Sequence, residues 1–125
     1  MRIIKFRTWD SEYQQYVKPG MCYIEDPFHL QYPNLIFEEF TGLYDIAGRE
    51  IYEGDICYFN TKNKQKNHDY NVFVLWDKEM ACFKIERTDN EFVFQYNPLL
   101  HCWAKKDYYF EVIGNIHENK NLLQK

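Results

Sequence analysis

The sequence contains no run of apolar residues approaching the length of a membrane-spanning helix, and no charged segment followed by an apolar stretch opens it. The expectation is a cytoplasmic protein without a membrane partner. Its four cysteines, at positions 22, 57, 82 and 102, form no C-x-x-C pair, which excludes zinc-ribbon spacing. Reduced thiols are the natural reading. Proline and glycine are scarce, at 4 and 5 residues, so each marks a specific break in the chain. Internal repeats, low-complexity tracts and interdomain linkers are absent, and 125 residues suit one domain. No catalytic or cofactor signature stands out.

Charge is also modest. The net charge is −4 with a pI of about 5.5, which argues against wholesale duplex binding. It is unevenly spread: residues 1–59 carry 10 acids and 5 bases, and residues 60–125 carry 9 acids and 10 bases. An anionic partner would prefer the second half.

What the chain has in excess is rings. Aromatic residues make up 19% of it, with 11 Tyr and 10 Phe. A buried Phe-sized side chain stabilises by roughly 1.5–3 kcal/mol, so a few suffice for a small core. The remainder outnumber the places to hide them, and Tyr keeps a polar tip suited to half-exposed sites.

Strand signals recur along the chain. "RIIKFRTWD" alternates in part, with Ile4, Phe6 and Thr8 on one face and Ile3, Lys5 and Arg7 on the other. "DSEYQQ" reads as a turn and "YVKPGMCYIED" as a second strand broken at Pro19-Gly20. Two prolines make "DPFHLQYPNL" irregular. "IFEEFTGL" is a strand entering "YDIAG", where Asp45 can form an Asx turn and Gly48 can take positive φ. "REIY" returns, "EGD" bends at Gly54, and "ICYF" leaves. "NTKNKQKNHD" is a polar basic loop. "YNVFVLW", "MACFKIER" (with Ala81, Phe83 and Ile85 on one side), "FVFQY" and "YYFEVIGNIH" are further strands, with "TDNE" as a turn. "LLHCWAKKD" is the best candidate for a short helix, and "ENKNLLQK" for a single helical turn. Seven to nine short strands point to a mostly-β barrel or sandwich.

The segments "IKFRTWD", "FTGLYDIAGREIYEGDI" and "FEVIGNIHEN", in that order and at these separations, resemble the YopX-like proteins of phages and prophages. The resemblance runs roughly from Arg2 to Leu123. It implies an SH3-like small barrel with at most short helices, and a small phage-derived protein of unassigned biochemical role. On this reading the chain is one YopX-like domain: an N-terminal β extension over 1–40, a barrel over 41–118 and a tail over 119–125.

Glu50, Glu53 and Asp55 could hold a divalent metal in a hydrolase or nuclease. However, alternation separates Glu50 from Glu53, and an Asp following a turn glycine ordinarily bonds backbone N–H groups. Arg7 and Trp9 share a strand face and could stack on a partner. The competing reading packs Trp9 at the core edge and pairs Arg7 with a carboxylate such as Glu53 or Asp55. His101 and Cys102 diverge on either a strand or a helix, and His29, His68 and His117 read as ordinary solvated loop residues. Lys62, Lys64, Lys66 and His68, with Lys105 and Lys106, could contact phosphates without reading base sequence. The rings of "DYYFEV", including Tyr108 and Tyr109, and of "FVFQY" suit partner binding or a homo-oligomer interface.

The expectation is therefore a non-enzymatic protein without a cofactor that acts by binding. Protein–protein contact, including self-association or a phage or host protein, ranks first. Nucleic-acid binding through the 62–68 loop ranks second, and a metal-dependent hydrolase third.

Overall fold

A computed structural model describes residues 3–18, 33–61, 70–89, 99 and 108–123. They form eight strands: β1 (Phe6–Asp10), β2 (Gln15–Tyr16), β3 (Leu35–Tyr44), β4 (Glu50–Tyr52), β5 (Asp55–Thr61), β6 (Tyr70–Asp77), β7 (Cys82–Arg87) and β8 (Tyr108–Asn115). One 3-10 turn, Lys120–Leu122, follows β8. Pairing gives two four-stranded antiparallel sheets, ordered β2-β1-β3-β4 and β7-β6-β5-β8. The architecture is the expected mostly-β small barrel, with a curled half-barrel sheet and no helix of seven or more residues among the described residues.

The core lies where the inner faces meet. Ile51 from the first sheet packs with Cys57, Phe59, Val72, Val74, Ile85 and Phe110 from the second, and Leu99 joins them. Alternation explains the set. Cys57 and Phe59 share a face of β5, Val72 and Val74 share a face of β6, and Phe59 stands opposite Phe110 on β8.

Two turns join the sheets. At the β3–β4 turn, Asp45 Oδ1 accepts from the N–H groups of Ala47 and Arg49, the Asx arrangement read from the sequence. Its other oxygen, Oδ2, accepts from Val112 N–H at 2.9 Å, and Ile46 N–H reaches Phe110 O, so this hairpin clasps the edge of β8. The β4–β5 turn is built on Gly54 at φ 89°, at the bend expected from "EGD". Gly54 N–H donates to Val74 O, and its own carbonyl accepts from Ile116 N–H.

Several sequence expectations need adjusting. The second strand is Gln15–Tyr16 rather than a segment starting at Tyr16, because a tight turn over Ser11–Gln14 brings Gln15 opposite Asp10. The strand expected from Met80 begins at Cys82. Ala81 lies in the turn at φ 53°, exposed, and does not share a face with Phe83 and Ile85. β3 is one strand from Leu35 to Tyr44. The "FVFQY" strand and all of the "LLHCWAKKD" helix except buried Leu99 lie outside the described residues.

Candidate functional site

Arg7, Glu38, Asp55 and His117 converge where β1, β2, β3 and the β4–β5 turn meet the turn after β8. Arg7 is the centre. Its Nε donates to Glu38 Oε1 at 2.8 Å, its Nη1 lies 2.9 Å from Asp55 Oδ1, and its Nη2 donates to the carbonyl of Glu53 at 3.2 Å. The rings of Tyr16 and Tyr52 flank the guanidinium, with centroids 4.7 and 4.9 Å from Cζ.

Glu38 is the second hub and is 3% exposed. Besides Arg7 it accepts from the Tyr16 hydroxyl at 3.0 Å, and its other oxygen lies 2.9 Å from His117 Nε2. The His117 ring stacks on Trp9, with centroids 4.6 Å apart and planes 8° apart. The turn that delivers it is held by local bonds: Asn115 Oδ1 accepts from the N–H groups of His117 and Glu118, and Asn119 Oδ1 accepts from Asn115 N–H.

Burial and charge oppose each other here. Burial disfavours the Arg7 cation, but Asp55 and Glu38 outweigh it and hold its pKa above the usual value. Burial pushes the Asp55 carboxyl upward against the pull of Arg7 and of the Tyr52 N–H, which donates to Asp55 Oδ2 at 2.7 Å. Burial, aided by Glu38, likewise drives the Tyr16 phenol well above its ordinary range. These groups are ordered and mutually satisfied, so the arrangement fixes geometry and offers no exposed acid or base.

The sequence-level candidates are distributed as follows. Arg7 pairs with Asp55 as one reading held, and meets Glu53 through its backbone carbonyl rather than its carboxylate. Trp9 is 3% exposed and packs on Tyr16 and His117. Glu50, Glu53 and Asp55 do not converge: Glu50 meets Lys5 and the Tyr52 hydroxyl, while Glu53 Oε1 receives the Glu39 N–H. Among the described residues no group of three His, Cys, Asp or Glu is arranged to hold a metal ion. Tyr109 lies beside Tyr58, with ring centroids 6.0 Å apart, and Tyr108 opens β8. Lys62, Lys64, Lys66, His68, Lys105 and Lys106 lie outside the described residues, as do His29, His101, Cys22 and Cys102. Cys57 is a buried free thiol whose pKa burial drives upward, and Cys82 is a partly exposed one.

His117 is a correction. It is not an ordinary solvated residue, because the Asn115 turn points its ring into the cleft between Trp9 and Glu38. Glu38, Tyr16 and Tyr52 were also missed. The available signal was in the quoted segments: "FRTWD", "YEGD" and "GNIHEN" supply Arg7, Trp9, Tyr52, Asp55 and His117.

A family model described as "YopX protein" matches residues 21–124. The crystal structure of protein EF1440 from Enterococcus faecalis superposes with a TM-score of 0.63, covering 99% of this chain and 100% of that one at 21% identity. Likeness at that identity concerns the fold. No curated protein matches the sequence. No helix among the described residues is long and apolar enough to cross a membrane.

Proposed function

We propose, on the premise that this chain belongs to the YopX family, that it is a non-catalytic binding protein acting through protein–protein contact, self-association included. The observation that carries this reading is the contrast between its buried charges and its exposed apolar side chains. Arg7, Glu38 and Asp55 are engaged with one another, whereas the β6–β7 hairpin holds Trp76 43% exposed and Met80 55% exposed. Trp76 and Phe83 meet edge to face, with centroids 5.0 Å apart, forming an aromatic ledge. Trp and Met are enriched in interface cores, and Trp in their energetic centres. The resemblance to phage and prophage proteins supports a bacterial host, and free thiols at Cys57 and Cys82 suit a reducing cytoplasm.

Light scattering across a dilution series tests the reading. Wild-type protein should form a concentration-dependent oligomer at tens of micromolar, and Met80→Glu should weaken it. Met80 is in an exposed turn, so its melting temperature should move by no more than about 1 °C. A wild-type monomer throughout that range would remove self-association.

A further inference from the structure

We propose that the enclosure around Arg7 is a guanidinium-binding site in its own right, filled in this fold by the chain's own first strand. Its ligand class is an arginine side chain presented on an extended strand.

The walls of the enclosure come from elements other than β1. Glu38 Oε1 is on β3, Asp55 Oδ1 is on β5, the Glu53 carbonyl is in the turn between β4 and β5, and the two rings are Tyr16 of β2 and Tyr52 of β4. Deleting the Arg7 side chain therefore removes none of the groups that recognise it. Two buried carboxylates supply negative charge, at 3% and 2% exposed for Glu38 and Asp55. Three acceptors meet three different nitrogens of one planar fork, and two tyrosine rings lie within cation–π distance of its central carbon. A guanidinium spreads its donors over three nitrogens of one plane and leaves its faces to rings, whereas an ammonium directs all its donors from a single atom, so the geometry favours guanidinium over amine. The Arg7 side chain is 23% exposed, so the enclosure opens to solvent and a small ligand can enter. The cross-strand pairing of Arg7 with Glu38 sets the direction of approach, which is why the fitting partner is a strand-borne arginine.

The test uses the full chain carrying Arg7→Ala, titrated with methylguanidinium at low millimolar concentrations. A ligand that binds only the folded state raises the melting temperature, by an amount that grows with the logarithm of its concentration above the dissociation constant. The expected rise is about 5 °C at roughly ten times the dissociation constant. It should be absent in wild-type protein, where Arg7 fills the site, absent with methylammonium, and strongly reduced in Arg7→Ala/Asp55→Asn. If Arg7→Ala is already unfolded, the same titration reads recovery of near-UV circular dichroism, and methylguanidinium should restore it where methylammonium does not. The proposal is overturned by no response in Arg7→Ala, by equal responses to the two cations, or by an equal rise in wild-type protein.

Discussion

Gly54 carries two demands at once. Its φ of 89° is one that side chains rarely adopt, and a Cβ built there would collide with the Glu38 carboxylate. Gly54→Ala should therefore cost about 2–4 kcal/mol, through both backbone strain and displacement of a buried carboxylate from Arg7. Urea unfolding measures this directly. Arg7→Met tests the same site from the other side. It leaves Glu38 and Asp55 buried without their cation, and breaking a buried pair from one partner costs roughly 3–5 kcal/mol. Asp45 gives the pH dependence. Burial opposes its charge, but N–H groups of Val112, Arg49 and Ala47, together with the Arg49 guanidinium, outweigh it and hold its pKa below the ordinary value. Its folded pKa lies below its unfolded one, so its contribution is complete above about pH 4 and is lost as pH falls through the folded value. Asp45→Asn should lower stability at neutral pH and flatten the acid side of the stability profile in that window.

At the scale of elements, the strands were legible because their residues alternate, and the turns because Asp45, Gly48 and Gly54 are residues that turns require. β5 and β6 match the expected segments to within a few residues. The β6–β7 turn was harder to place, since nothing in its sequence warns that Ala81 adopts φ 53°. That value is costly for alanine and free for glycine. Ala81→Gly should accordingly stabilise the protein by up to about 1 kcal/mol, seen as a raised urea midpoint with an unchanged slope. The charged cluster was only half legible. The pairing of Arg7 with Asp55 could be guessed from residue type, but the role of Glu38 depends on its cross-strand register with Arg7, which no local pattern encodes. His117 was misread for a related reason: its turn looks like any polar loop until the end of β8 is set beside the first sheet.

At the scale of the molecule, the two sheets are joined by a few specific contacts. The Asp45 clasp holds β8, Gly54 bonds to β6 and to Ile116, and the Arg7 cluster ties β1 and β3 to β5 and the C-terminal turn. The outer surface carries Trp76 and Met80 on one hairpin, consistent with the proposed association face. A Trp76→Ala chain should associate more weakly than wild type while still melting cooperatively, because Trp76 lies at the rim of the core. Sedimentation velocity alongside thermal unfolding separates the two effects.

The contact of His117 with Glu38 spans 79 positions of the polypeptide. Ribosomal synthesis proceeds from the N-terminus at roughly 5–20 residues per second, so Glu38 has waited several seconds before its last partner is even made. During that interval Glu38 lacks the imidazole that meets its carboxylate in the folded protein. Nascent chains stalled just short of the "GNIHEN" segment should consequently be far more open to protease than those stalled once it has cleared the exit tunnel.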